Sequence, residues 1–201
     1  MDTTLKKRLL LAFCLLGSAG ALAGLGTYAT ATDSHKSTQN FAAGTVVLGL
    51  DGTAADTTTS AVTGMMPGDS AQRVITVDNL GDQDWSSLLM SAYVATGGTS
   101  SLLDTDHYQG LQMVVDRCSQ AWTAAGSTYT CGGTTTSNVV ATGTVIRSNL
   151  TIGSSPALTS GAHDYLRITV TLPSFAGDEF QNLSSDITYR FQAVQRTATS
   201  K

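Results

Sequence analysis

Hydrophobic and polar residues alternate along several short segments of the chain. The clearest case is YLRITVTL at residues 165–172, in which Leu, Ile and Val positions alternate with Arg and Thr. The segment DITYRFQAVQ at residues 186–195 alternates in the same way. Because successive side chains of a strand point to opposite faces, both segments predict half-buried β-strands.

Shorter segments of similar character predict further strands, and turn-forming sequences separate them. The additional predicted strands are Thr45–Leu50, Gln72–Val77, Leu88–Ala95, Leu111–Asp116, Tyr129–Cys131 and Thr144–Thr151. The turn sequences are PGD at 67–69, NLGDQD at 79–84, TGG at 96–98 and CGGTTTSN at 131–138. Residues 101–107 and 177–183 are expected to hold a turn of helix, and no long amphipathic helix is predicted. The pattern predicts a single all-β domain, an antiparallel β-sandwich with short helical excursions in its loops.

The N-terminus has the layout of a secretory signal. Three basic residues at 6–8 precede the apolar run LLLAFCLL at 9–16, and small residues follow as far as Ala29. We therefore predict a signal peptide over residues 1–29, cleaved between Ala29 and Thr30. The alternatives are a cut after Ala23 and an uncleaved membrane anchor, since residues 9–29 are long enough to cross a bilayer.

The charge balance narrows the class of partners. The chain has a formal net charge of −4, and only 13% of its residues are charged. An acidic chain with few, scattered Lys and Arg residues is not expected to bind nucleic acid or anionic membranes. Contact with a membrane is expected only through the uncleaved signal segment.

Two cysteines remain after the signal peptide, Cys118 and Cys131. In an exported chain an even pair predicts a disulfide. A zinc site is the rival interpretation, but neither a CxxC nor a two-His spacing accompanies the pair.

No catalytic motif is recognisable in the sequence, and no cofactor is predicted. The segment DTDH brings Asp104, Asp106 and His107 together, which is compatible with a metal site but more typical of a solvated loop with a helix cap. The segment DNLGDQD at 78–84 is faintly similar to a calcium loop, and a turn between strands is the favoured interpretation. Trp85 and Trp122 are too far apart in sequence to indicate a sugar-stacking platform.

Three blocks of sequence carry a resemblance to a known family. They are GTYATATD at 26–33 with FAAGT at 41–45, MMPGDSAQRVITVDNLGDQDW at 65–85, and DEFQNLSSDITYRFQAVQ at 178–195. In this order and spacing they resemble the TasA/camelysin family of secreted bacterial proteins. The resemblance covers both ends of the chain and is weak over about residues 95 to 160.

The resemblance implies a jelly-roll domain, export by a dedicated SipW-type signal peptidase, and assembly into extracellular fibres of the biofilm matrix. In such fibres an N-terminal strand of one subunit completes a sheet of the next. The implied layout is a signal peptide (1–29), an exposed leader (30–40), a β-sandwich (41–197) and a short tail (198–201). The implied assembly residues are Thr30, Ala31, Thr32, Asp33 and Phe41. Position 31, where members commonly have Phe, is Ala in this chain.

These observations favour a secreted fibre subunit whose main partner is itself, with other matrix or cell-wall components as further partners. A monomeric surface adhesin or carbohydrate-binding module is the alternative, since a β-sandwich alone does not identify a function. Some members of the family carry a metalloprotease label, so a camelysin-like secreted metalloprotease is the second alternative.

Overall fold

The computed structural model describes residues 45–197, and its secondary structure is almost entirely β. The strands are β1 (Leu48–Leu50), β2 (Thr57–Thr63), β3 (Ser70–Asn79), β4 (Trp85–Val94), β5 (Gln112–Cys118), β6 (Trp122–Ala125), β7 (Thr128–Cys131), β8 (Thr135–Thr144), β9 (Arg147–Thr151), β10 (His163–Thr171) and β11 (Ser184–Gln195). One short helix, α1 (Leu102–Thr105), and 3₁₀ turns at Pro156–Leu158 and Asp178–Phe180 lie in the connections.

The strands form two antiparallel sheets and a separate hairpin. Sheet A has the order β1-β3-β10-β5-β8, sheet B has the order β2-β11-β4-β9, and β6 pairs with β7. Without β1 and the hairpin, each sheet contains four strands in the order of a jelly roll. The predicted all-β sandwich is therefore confirmed, and its topology is the one that the family resemblance implied.

The core lies between the two sheets and is supplied by the alternating positions read from the sequence. In β10, Leu166, Ile168 and Val170 are all at most 4% exposed, while the Arg and Thr residues between them are only partly buried. In β11, Tyr189 and Phe191 are buried from the other side. Burying a large apolar side chain contributes about 1.5–3 kcal/mol relative to leaving it exposed, so these positions hold the two layers together.

Several predicted strand boundaries were wrong. The segment predicted as one strand from Thr144 to Thr151 contains the end of β8 and the whole of β9, which belong to different sheets. Between them Val145 is buried, and its N–H donates to the Leu111 carbonyl at 2.9 Å while the chain crosses from one sheet to the other. At the start of the domain, only Leu48–Leu50 of the predicted Thr45–Leu50 strand pairs with β3.

Two strands, β2 and β6, were not predicted, and only the last residue of β8, Thr144, fell within a predicted strand. The first half of β8 was assigned to the CGGTTTSN turn. In β2 only Val62 is buried, and in β8 only Val140 is, because each strand lies at the edge of its sheet. Such strands lack the alternating apolar residues on which the prediction depends.

The predicted turns at 67–69, 79–84 and 96–98 are present, as are the helical turns predicted within 101–107 and 177–183. In DNLGDQD, the Asp82 carboxylate accepts a hydrogen bond from the Thr45 N–H at 2.6 Å, and the Asp84 carboxylate accepts one from Ser160 N–H at 2.9 Å. This segment is the link from β3 in sheet A to β4 in sheet B, so its acidic residues stabilise a turn between strands, as the sequence favoured.

Candidate functional site

The first candidate site is the DTDH segment, where a metal was considered. Asp104 is buried at the start of α1, and its Oδ2 accepts hydrogen bonds from Ser101 N–H at 2.8 Å and Ser185 Oγ at 2.6 Å. Its Oδ1 accepts a third from Ser100 Oγ at 2.7 Å. The Ser101 side chain in turn accepts from the Asp104 backbone N–H, which makes the pair a capping box, and also from the Leu103 N–H at 3.1 Å. The Asp104 carboxylate therefore stabilises the start of α1 and ties it to β11.

Asp106, two residues later, organises the loop that follows the helix. Its Oδ1 accepts hydrogen bonds from the backbone N–H groups of Tyr108 and Gln109, both at 2.8 Å. These donors hold the pKa of the Asp106 carboxyl below its ordinary value of 3.8, because they favour its charged form. Among residues 45–197, no group of three or more His, Cys, Asp and Glu side chains is arranged to hold a metal ion.

The second candidate is the disulfide, which joins Cys118 at the end of β5 to Cys131 at the end of β7 with a Cα–Cα distance of 5.6 Å. It ties the β6–β7 hairpin to the outer face of sheet A. Trp122 Nε1 donates to the Tyr165 carbonyl at 3.0 Å, and the Arg167 guanidinium lies over the Trp122 ring, 4.2 Å from its centroid. Trp85 is buried in the core and the Arg167 guanidinium covers one face of Trp122, so the two tryptophans do not form a joint platform for a sugar.

Two side-chain contacts join strands of sheet A, an Arg–Asp ion pair and a His–Asp hydrogen bond, and neither is apparent from the sequence. Asp164 is fully buried and accepts two hydrogen bonds from Arg117, from Nε at 2.6 Å and from Nη2 at 2.7 Å. His163 Nδ1 lies 2.5 Å from Asp78 Oδ1, which is buried although the imidazole is half exposed. The partners are far apart in sequence, and only strand pairing brings them together.

A family model described as camelysin metallo-endopeptidase matches residues 4–200. The chain belongs to the TasA/camelysin family. No curated protein sequence matches it at a significant level.

The description of the camelysin family implies a metal, and the described residues do not fit one. Asp104 is surrounded by hydrogen-bond donors of the protein, and Asp106 accepts from two backbone N–H groups. His163 contacts one carboxylate, Asp78, and in residues 45–197 no third ligand joins them. The family assignment therefore identifies the relatives of this chain without identifying a catalytic centre in the part described.

The edges of the two sheets are the places where a strand from another chain can pair, because edge strands have unpaired backbone groups on one side. Within residues 45–197, sheet A ends at β1 and β8, and sheet B ends at β2 and β9. β1 and β9 are short, and β8 shows register shifts against β5 on both sides of Val115. β2 pairs with β11 in continuous register over all of its residues.

The residues predicted for processing and assembly lie outside the described part of this camelysin-family chain. They are Ala29, Thr30, Ala31, Thr32, Asp33 and Phe41, and the domain boundaries at 29/30 and 40/41 lie there as well. Within residues 45–197 the structure contains no helix long and apolar enough to cross a membrane.

Proposed function

We propose that this protein is a secreted structural protein, a subunit of extracellular fibres of the biofilm matrix or cell surface. Its membership of the TasA/camelysin family over residues 4–200 is the observation that carries the proposal. The principal partner is another copy of the chain, and other matrix or cell-wall components are further partners. Each subunit adds the leader at residues 30–40 to a sheet edge of its neighbour.

The composition of the leader supports a role as a donor strand. Residues 30–40 read TATDSHKSTQN, which contains neither Pro nor Gly and is rich in Thr, a residue favoured in strands. A strand added to a neighbour's edge pairs through its backbone, while Phe41 supplies an apolar anchor beside it. Because donor and acceptor are different surfaces of the subunit, such contacts repeat in one direction and build a filament.

The geometry of the edges favours β2 as the acceptor. Proteins protect edge strands by keeping them short, by bulges, and by placing Lys or Pro in them. β1 and β9 are short and β8 is bulged, whereas β2 (Thr57–Thr63) is unbulged and its sequence, TTTSAVT, contains neither Lys nor Pro. Among residues 45–197 no strand pairs with the outer side of β2, so its backbone groups on that side can pair with a strand from another subunit.

Deletion of residues 30–39 from the mature protein tests the assembly mechanism. We expect the deleted protein to remain folded by circular dichroism and to form no filaments by electron microscopy. A second variant replaces residues 30–39 with a Gly/Ser sequence of equal length, which keeps the spacing but weakens the strand. This variant should also form no filaments. Filaments that form equally well without the leader would contradict donor-strand assembly.

The acceptor edge has its own test. Replacing Ala61 and Thr63 together by Lys places charges on exposed positions of β2 and should suppress filament formation. The matched control places Lys at Thr135 and Ser137, exposed positions of the bulged β8 edge, and should assemble normally. If the control fails and the β2 variant assembles, β8 is the acceptor instead.

A metallo-endopeptidase remains the second candidate, because the family description names that activity. The purified mature protein should contain no stoichiometric zinc and should not cleave casein, since Asp104 and Asp106 accept hydrogen bonds from protein donors and no group of three metal-binding side chains forms within residues 45–197. Zinc at one equivalent together with casein cleavage that EDTA abolishes would contradict the structural role.

A further inference from the structure

A groove of about 580 Å³ lies on the outer face of sheet A, beyond the end that the β6–β7 hairpin covers. Gln112 and Val114 of β5 and Thr171 of β10 line it. These positions are further along the paired strands than Tyr165 and Arg167, which contact the hairpin. The groove is therefore a separate surface from the disulfide hairpin.

Two exposed aromatic rings stand side by side on the groove. Tyr108 is 74% exposed and Phe175 is 58% exposed, their ring centroids are 5.2 Å apart, and their planes are inclined by 39°. Exposed apolar side chains that gather at one place on a protein surface mark binding sites more often than isolated ones do. The two rings come from loops far apart in sequence, so the fold assembles the pair.

Hydrogen bonds hold the loops that carry the rings. Asp106 accepts from the Tyr108 N–H, as described above, and Gln112 Nε2 donates to the Gly110 carbonyl at 3.2 Å. Gln109 Oε1 accepts from the Gly177 N–H at 3.3 Å, which joins the Tyr108 loop to the Phe175 loop. A site whose groups are already in place binds a ligand with a smaller entropic cost.

The lining determines the chemistry of the occupant. Beside the aromatic rings the groove presents His107, Gln112, Thr142, Thr171 and Ser174, and none of its lining residues is Asp, Glu, Lys or Arg. Apolar and aromatic walls with a few polar groups are typical of small-molecule sites of this volume. The lining matches a ligand without charge, and the net charge of −4 of the chain disfavours an anionic one.

The floor of the groove favours a saccharide over a peptide strand. β5 pairs with β10 on one side and with β8 on the other, so its backbone groups are used within sheet A. An added peptide strand would find no backbone partners on this face, whereas a ligand bound through side chains and ring faces needs none. A pyranose ring has an apolar C–H face that packs on an aromatic ring and hydroxyl groups at its rim for the polar side chains.

A second depression of about 460 Å³ adjoins the groove at His107, which lines both. Its lining includes Tyr93 and Asp104, and the Asp104 carboxylate already accepts three hydrogen bonds from the protein. Two adjoining depressions accommodate a ligand longer than one sugar ring. We propose that this surface binds a neutral polysaccharide of pyranose units, stacked on Tyr108 and Phe175. The proposal does not depend on fibre assembly, because the rings and the floor of the groove are distinct from β2 and the leader.

Affinity electrophoresis of the mature protein in gels containing hydroxyethylcellulose, dextran or galactomannan tests the proposal, with alginate as the anionic comparison. We expect retardation by at least one neutral polysaccharide and none by alginate. Replacing Tyr108 and Phe175 together by Ala should raise the dissociation constant about tenfold or more, since the stacking surface is removed. Both side chains are exposed, so the variant should keep the thermal stability of the wild type.

Two further variants make the result specific. Met66→Ala removes a side chain that is also highly exposed (64%) but lies outside the groove lining, and it should leave retardation unchanged. Tyr108→Phe keeps the ring and should retain most of the binding. The proposal is overturned if no neutral polysaccharide retards the wild type, or if the double Ala variant is retarded equally. It is also overturned if the double variant loses filaments while the wild type binds no polysaccharide, because the rings would then be a contact between subunits.

Discussion

At the scale of single residues, two carboxylates of the DTDH segment act differently although one residue separates them. Asp104 is buried and joins α1 to β11 through Ser185, whereas Asp106 is on the surface and shapes the loop that carries Tyr108. In the sequence the two carboxylates look equivalent, since both are acidic residues close to His107. Their positions relative to the short helix decide their roles. Asp104 lies in the first turn of α1 and caps it, whereas Asp106 follows α1 and supports the next loop.

The hydrogen bonds to Asp106 predict a specific pH dependence. Because its folded-state pKa lies below the ordinary 3.8, the carboxylate stabilises the folded loop above that value, and this contribution is lost as pH falls through the lowered pKa. In an NMR titration, the amide protons of Tyr108 and Gln109 should shift with a midpoint below 3.8. The variant Asp106→Asn should lack this transition. A midpoint above 3.8 in the wild type would contradict the assignment.

The buried pair Arg117–Asp164 predicts a large loss of stability when one partner is removed. Asp164→Ala leaves the guanidinium of Arg117 buried without its counter-charge, which should cost about 3–5 kcal/mol of unfolding free energy in urea. The matched control is Asp56→Ala, which breaks the exposed pair with Arg190 and should cost less than about 1 kcal/mol. Equal losses in the two variants would show that burial of the first pair is energetically unimportant.

At the scale of elements, the β6–β7 hairpin shows how a short two-stranded piece is stabilised. An isolated hairpin is marginal in water. Here Gly126 has a φ of +66°, as a tight two-residue loop requires, and the Cys118–Cys131 bond and the Arg167–Trp122 contact attach the hairpin to sheet A. Removing any one of these attachments should therefore affect the hairpin before it affects the sandwich.

The disulfide predicts a moderate loss of stability without loss of the fold. Cys118→Ser should lower the free energy of unfolding by about 3 kcal/mol, and hence Tm by about 6–12 °C, because the unfolded chain gains freedom. Differential scanning calorimetry measures the shift, and Cys131→Ser should give the same value. The double variant should be no less stable than either single one. Two free thiols in non-reducing mass spectrometry of the native protein would show that the bond is not formed in solution.

At the scale of the whole molecule, the chain divides its functions between parts. The β-sandwich supplies a stable core and edges, and we propose that the leader is the donor strand and that the residues before Thr30 direct export. If this division holds, changes in the leader should affect fibres and leave the domain folded, because the core described is built entirely from residues within 45–197.

The proposed division between signal peptide and leader requires cleavage between Ala29 and Thr30. We expect Thr30 at the N-terminus of the secreted protein, because the GTYA segment at 26–29 ends in a small residue and is similar to the family's signal end. N-terminal sequencing of the culture supernatant measures it directly. Gly24 as the first residue would contradict the prediction and would leave a longer, Gly-containing leader in front of the domain.

Much of the fold was determined by the sequence alone, because the central strands alternate apolar and polar residues. β10 and β11 were located by that pattern, and the turns by their Gly, Pro, Asn and Asp residues. The edge strands β2 and β8 were missed because an edge strand buries few side chains and needs no apolar alternation. Their position depends on which strands pair, and pairing is a property of the assembled sheets.

The same distinction, between features set by nearby residues and features set by strand pairing, applies to the sites. The cysteine pair and the capping role of the DTDH segment were accessible from the sequence, since both depend on residues close together in the chain. Only the tertiary structure joined Arg117 to Asp164 and placed Tyr108 beside Phe175. Those partners lie on strands and loops that are distant in sequence, and no local pattern records the pairing of β5 with β10 that brings them together.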